Sequence, residues 1–362
     1  MTLLRLSCLF LTIFTPVHLI TSAARLSTDT CSCNTGFTEV NVDIDIAVNP
    51  SDDPIQLLVH GQTYTYQYWD VRWNGFHRYS YMLYACAHGV SSFAYDNACA
   101  GRSTHTRDSQ DCQLPTSAAI ASSLAKKLKD GTLAEDLTGT SHSFSKVVGI
   151  GHSIGSNTLD YVVITEGTSS PFVGIILTGF VHVLVGPEIL NSSIGQLFAP
   201  AKNVDPLRWG HLDPGYITSP SEDTRAVFYG PNGSFDPTIS NLDFLTKDVG
   251  STWPTSQVAN IFTPTKFQGS VTAIIGGLDK TAHCPCDSET YQLSEKFYFP
   301  DADFNMIVIE GQGHSLNLDF GALQLFPLML DIFDGATKDY CPLGVALFSQ
   351  KFGQGIFCLG CD

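Results

Sequence analysis

The sequence predicts an α/β fold: a mostly parallel central sheet flanked by helices, with a cap or lid insertion over one edge. Three observations carry that reading. Apolar runs of strand length alternate with stretches of helical spacing, first over residues 55–184 and again from 266. That alternation is the pattern of parallel strands joined by crossover helices and covered on both faces. The pentapeptide Gly151-His152-Ser153-Ile154-Gly155 directly follows the apolar run 144–150, which marks a sharp strand-to-helix turn. The rhythm then stops over residues 185–265, which are rich in Pro, Gly, Asn, Asp and aromatic side chains.

Taken in order, residues 25–54 are polar, with an alternating piece at 40–48 that reads as an edge strand or hairpin. The runs 55–59 and 91–95 are short and apolar, as buried strands are, and 79–86 between them has helical character. Residues 115–128 carry small and apolar side chains at helical spacing. The run 144–150 is the strand before Ser153, and 154–163 fits the helix after it. A further strand opens at 172–177, and 271–275 and 304–309 resume the series beyond the insertion. A last helix is expected over 323–333, followed by a tail from Cys341 that disulfides would staple to the body. The expected organisation is a signal peptide at 1–24, a core in two parts (25–184 and 266–362), and the insertion 185–265 between them.

Composition narrows the function. The chain has 362 residues, 43% of them hydrophobic, enough for one large α/β domain with a substantial core. Charged residues are 15%, against roughly 25% in an average soluble protein, and the net charge is −16. Such an acidic balance argues against nucleic acid and anionic membranes as partners. Residues 1–24 hold one basic residue, Arg5, then an apolar stretch, then the small residues Thr21, Ser22, Ala23 and Ala24. This is the pattern of a secretory signal peptide cut near Ala23 or Ala24. The stretch is short and broken by Thr12, Thr15, Pro16 and His18, so no integral membrane anchor is expected. Of the 11 cysteines, Cys8 leaves with the signal peptide. An even number remains, which in a secreted chain points to disulfides of open connectivity. Asn191 and Asn232 head Asn-x-Ser sequons, so a secreted glycoprotein is expected.

Chemistry converges on Ser153. A serine at such a turn holds its hydroxyl clear of the sheet, and the small neighbours Gly151 and Gly155 let the strained backbone form. Ser153 is a weak nucleophile and needs a general base, most often histidine. His314 lies in Gly311-Gln312-Gly313-His314-Ser315, just after the strand at 304–309. Asp279 follows the strand at 271–275 and can orient the imidazole, with Asp287, Asp301 and Asp303 as nearby competitors. His152 reads as an elbow side chain near the pocket, and His60 as a loop-packing residue rather than a base. His283-Cys284-Pro285-Cys286 could bind zinc, but its spacing is poor and disulfides suit the compartment better. Neither a metal nor a cofactor is called for.

The order Ser153, Asp279, His314 resembles that of the α/β-hydrolase superfamily, and the resemblance spans roughly residues 50–335. His60-Gly61-Gln62 matches the family's oxyanion loop, which implies that the backbone N–H groups of Gln62 and Ile154 form the oxyanion hole. Asp96…Gly101-Arg102-Ser103 resembles a structural loop of the family, with one extra residue and Ala100 in place of a glycine. The resemblance implies a capped, esterase- or lipase-like serine hydrolase acting on a small to medium hydrophobic ester or lactone. A serine at the elbow argues against dehalogenase or epoxide hydrolase chemistry, which in this superfamily uses an aspartate. Two rivals remain: an acyltransferase or cyclase using the same serine, and a non-catalytic ligand-binding member of the fold.

Overall fold

The computed structural model describes residues 18–27, 39–48, 54–73, 75–138, 141–182, 195–252, 258–281 and 288–338. Ahead of Ser153 the chain forms strands β1 (His18–Ser27), β2 (Glu39–Val48), β3 (Ile55–Val59), β4 (Ser91–Tyr95) and β5 (Val147–His152). Helices α1 (Tyr81–Ala87), α2 (Leu114–Asp130) and α3 (Thr132–Thr138) lie among them. Helix α4 (Ile154–Glu166) and strand β6 (Phe172–Thr178) follow the serine. Next come short strands β7 (Ala199–Pro200), β8 (Tyr216–Thr218) and β9 (Gly250–Ser251), with helices α5 (Ala201–Val204), α6 (Pro206–Trp209), α7 (Glu222–Ala226) and α8 (Pro237–Thr246). Strand β10 (Ser270–Gly276), helix α9 (Ser288–Lys296), strand β11 (Asp303–Ile309) and helix α10 (Ala322–Thr337) complete the described chain.

The strands order as β1-β2-β4-β3-β5-β6-β10-β11 in one eight-stranded sheet. From β4 to β11 every pairing is parallel, and β1 and β2 close one edge as an antiparallel pair. The alternating piece at 40–48 is therefore one arm of an edge hairpin. Signal-peptide cleavage near Ala23 or Ala24 would fall within β1, and most of the expected signal peptide lies outside the described residues.

Period-two alternation fills both faces of the sheet. Leu57, Val271, Ala273 and Ile275 face one core with Leu124 of α2 and Leu159 of α4. Leu58, Ile150, Ile176 and Ile274 face the other, with Met82 of α1 and Phe326 and Met329 of α10. Strands buried on both sides read as continuous apolar runs, which is why 55–59 and 271–275 stand out in the sequence. β5 starts at Val147 rather than 144 because the Phe144 N–H is taken by the Leu128 carbonyl at the end of α2 (3.1 Å).

From β3 the chain moves to β4 on one side and then to β5 on the other. The carboxyl ends of β3 and β5 therefore flank the point where strand order reverses, the usual position of a site in an open α/β sheet.

Between β6 and β10 the chain leaves the central sheet and builds a small antiparallel one, β7-β8-β9. Trp209, Leu212, Tyr216 and Val249 pack there against Cys99 and Cys112, which form a disulfide. Aromatics of the insertion, Trp209 and Tyr216, thus serve as part of its own core, and Trp253 lies outside the described residues, as do Cys284, Cys286 and the tail from Cys341. Among the described residues, no helix is long and apolar enough to cross a membrane.

Candidate active site

Ser153 sits between β5 and α4 with φ of 54° and ψ of −117°, a left-handed backbone that costs a non-glycine residue energy. The Ser153 N–H donates to the Thr178 carbonyl on β6 (2.9 Å), which ties the turn to the next strand. Both flanking glycines are required by contact. A Cβ at Gly155 would collide with the Val59 carbonyl oxygen of β3, and one at Gly151 would come within 2.6 Å of the Ser156 backbone. Ser153 Oγ makes no capping bond to α4, so the half-buried hydroxyl stays available.

Asp279 and His314 come together. Both hang from the carboxyl ends of adjacent strands, β10 and β11, which pair Gly276 with Ile309. The His314 Nδ1–H donates to Asp279 Oδ2 (2.7 Å), an assignment that leaves Nε2 as the free base. Asp279 is fully buried, and its Oδ1 accepts from the Thr281 N–H (2.8 Å) and hydroxyl (2.7 Å). Thr281 Oγ1 also lies 2.9 Å from His314 Nδ1, so it braces both partners. Of the competitors, Asp301 and Asp303 are exposed and Asp287 is outside the described residues.

His152 lies next to the candidate base, His314. It is wholly buried, stacked on Tyr68 at 4.2 Å and 4.8 Å from the His314 ring. The Thr178 hydroxyl donates to the Gly151 carbonyl (2.9 Å), so it accepts from His152 Nδ1–H (3.2 Å). Burial first, then the neighbouring His314, holds the His152 pKa well below the usual imidazole range. It is a neutral floor beneath the elbow.

On the other side of Ser153 lies the turn after β3. The Asn97 N–H donates to His60 Nε2 (2.8 Å), which fixes the proton on Nδ1, and Nδ1–H donates to the Gly61 carbonyl (2.8 Å). Burial lowers the His60 pKa to about 4, so this lock stays neutral. Gly61 C=O and Gln62 N–H belong to one trans peptide, and holding the carbonyl aims the N–H the opposite way. Among the described residues, neither the Gln62 nor the Ile154 N–H donates to a backbone carbonyl. Ile154 opens α4, where unpaired N–H groups are expected. The Gln62 side chain donates to the Ser251 carbonyl of β9 (2.6 Å). Beside the turn, Gly61, Gln62, Asn97, Ile154, Val249 and Ser251 help line a small hollow that opens to solvent.

The Asp96 loop is structural, as expected. Asp96 accepts from Tyr66 N–H and Arg102 N–H (both 2.9 Å), and Ser103 Oγ donates to its carbonyl (2.7 Å).

Sequence reasoning misses other supports. Asp160 on α4 accepts from His182 Nε2 (3.0 Å), and His182 Nδ1 donates to Glu295 (2.7 Å), all fully buried. Burial opposes charge on His182, but the two carboxylates prevail and raise its pKa to about 9. This ion cluster anchors the helix that presents Ser153. Among the described residues, no group of His, Cys, Asp and Glu is arranged to hold a metal.

Residues 56–323, about three-quarters of the chain, match the model of the alpha/beta hydrolase family. The chain belongs to that family. Its fold is similar to a soluble variant of monoglyceride lipase from Saccharomyces cerevisiae, solved with a substrate analog (TM-score 0.59, 16% identity, 91% of this chain and 99% of that one). It is similar also to a thermophilic esterase from Thermogutta terrifontis (0.56, 13%, 87% and 99%). An epoxide hydrolase from Vigna radiata aligns comparably (0.56, 13%, 87% and 98%). At such identities the likeness is one of fold, and fold does not choose among chemistries. No curated protein matches the sequence.

Proposed function

We propose that this alpha/beta hydrolase is a secreted serine esterase that cleaves a carboxylic ester or lactone through an acyl-enzyme on Ser153. The observation that carries the reading is the 2.7 Å Asp279–His314 pair, together with a serine held at a strained elbow whose preceding residue, His152, packs 4.8 Å from the His314 ring. His314 Nε2 takes the Ser153 proton as Oγ attacks the carbonyl carbon. The Gln62 and Ile154 N–H groups stabilise the tetrahedral oxyanion. Collapse expels the alcohol, or opens the lactone, with the proton returned by His314. Water then gives its proton to the same imidazole and attacks the acyl-enzyme, releasing acid and regenerating Ser153. Asp279 keeps the Nδ1 proton in place and stabilises the imidazolium.

A serine rather than an aspartate at the elbow favours ester over epoxide chemistry. Secretion rests on the N-terminal pattern, the Cys99–Cys112 disulfide and the sequon at Asn232, which sits exposed in a turn.

The test is fluorophosphonate labelling of the protein secreted from a eukaryotic host, with mass-spectrometric mapping. Label on Ser153, lost in His314→Ala, is the expected result. Folded protein that does not label would sink the reading.

A further inference from the structure

We infer that the insertion belongs to the oxyanion apparatus, the buried Arg225–Asp243 pair acting through Thr63 to position the Gln62 peptide. This rests on the serine-hydrolase reading. Arg225 on α7 is fully buried. Its guanidinium grips Asp243 of α8 with two bonds, Nε to Oδ2 (2.8 Å) and Nη2 to Oδ1 (2.7 Å). The third arm, Nη1, donates to Thr63 Oγ1 (2.6 Å). Thr63 directly follows Gln62, and its φ of 62° is a strained value for a β-branched residue. Surroundings must hold such a residue in place.

Two further bonds from the insertion grip the same turn. Asp248 N–H donates to the Thr63 carbonyl (3.0 Å), and the Gln62 side chain donates to the Ser251 carbonyl (2.6 Å). Arg225 also lies 4.0 Å over the Tyr64 ring, whose hydroxyl is 2.6 Å from Ser315 Oγ, next to His314. Tyr229 OH donates to Asp243 Oδ2 (2.9 Å) and completes the acid's shell.

A buried ion pair is weak support for stability, since desolvation offsets much of its attraction. What it does well is fix register, because a guanidinium has a rigid fork of donors. Here the fork points two donors at an acid of the insertion and one at the turn. Swinging the insertion away at this edge would break all three grips at once. The insertion is a fixed wall on the oxyanion side, not a lid hinged there.

Thr63→Val tests this, because valine keeps the shape and removes only the acceptor. Kinetics on 4-nitrophenyl acetate should show kcat falling 10- to 100-fold with KM within twofold. Affinity for a trifluoromethyl ketone, which needs the oxyanion site, should fall in parallel. Thr63→Ser should restore kcat to within threefold. Arg225→Lys, which cannot serve Asp243 and Thr63 together, should reproduce the loss if Thr63→Val does not fold. Thr63→Val with kcat within twofold of wild type, or a loss that Thr63→Ser does not restore, would overturn the inference alone. Wild-type protein that neither labels at Ser153 nor cleaves the ester would overturn the hydrolase reading and this inference with it.

Discussion

On one side of Ser153, Asp279 and His314 hang from neighbouring strands and meet at 2.7 Å with one helper, Thr281. On the other, the turn carrying Gln62 is gripped by groups that come from far along the chain: His60 through Asn97, Arg225, Asp248 and Ser251. The acid–base side is a local product of two parallel strands ending together. The oxyanion side is assembled from the core and the insertion at once. The difference teaches where function should be brittle. Chemistry is concentrated in the first side, whereas geometry is distributed over the second.

The largest effect should come from the acid–base side. Asp279→Asn keeps the shape but places an amide against His314 Nδ1. The imidazole then turns its protonated nitrogen toward Ser153, and the base is lost. We expect kcat to fall by about three to four orders of magnitude, with thermal unfolding little changed. Steady-state ester hydrolysis and the rate of Ser153 labelling would measure it. A loss under tenfold would mean the short Asp279–His314 contact is structural, and the contrast between the two sides would disappear.

An intermediate effect is expected from His60→Leu, which breaks the core's grip on the turn and leaves the insertion's grips untouched. The Gly61 carbonyl loses its donor and the buried Asn97 N–H loses its acceptor. We expect kcat to drop about 10- to 100-fold with KM nearly unchanged, less than the loss of a whole oxyanion donor can cost. Stability should fall by about 1–3 kcal/mol from the unpaired N–H. Because burial lowers the His60 pKa to about 4, its contribution to stability is present above the unfolded value near 6.5 and is lost as pH falls through 4. The variant should therefore lack that part of the acid destabilisation, read by unfolding from pH 4 to 7. Full activity in His60→Leu would show that the insertion alone can hold the turn.

The contrast also explains what could be read from the sequence. Strands β3, β5 and β10 announce themselves because burial on both faces forces continuous apolar runs, and the edge strand β11 through its apolar end at 306–309, although Asp303 and Asn305 are exposed. Ser153, Asp279 and His314 each follow such a run within a few residues, so strand and candidate residue could be read together. Thr281 escaped because a threonine two residues after an aspartate is common in any loop. Arg225 and Asp243 carried no signal, since an arginine in a polar, proline-rich stretch reads as surface, and only the folded insertion buries it. Spacing puts His152 beside the nucleophile but carries no sign of its burial. The aromatic ring of Tyr68, brought in by the turn beyond β3, covers it.

The smallest effect concerns Asp319, which touches both regions. Its Oδ2 accepts from Gly313 N–H (2.8 Å), beside His314, and from Gly230 N–H (3.3 Å), in the insertion, while Oδ1 is buried without a partner. Burial raises its pKa to about 7, against the pull of those two N–H donors. Between about pH 4 and 7 the folded protein holds a proton that the unfolded chain has released. Its stabilising contribution is thus fully present below the unfolded value and is lost as pH rises through 7. Asp319→Asn keeps an acceptor for the N–H groups and removes the titration. Unfolding curves at pH 8 should shift up by about 2–4 °C, with pH 5 nearly unchanged and kcat within twofold at both. A pH-dependent change in kcat instead would mean that the insertion reaches the imidazole through Gly230, Asp319 and Gly313. The two sides would then be one coupled unit, and distributed geometry would extend to the chemistry itself.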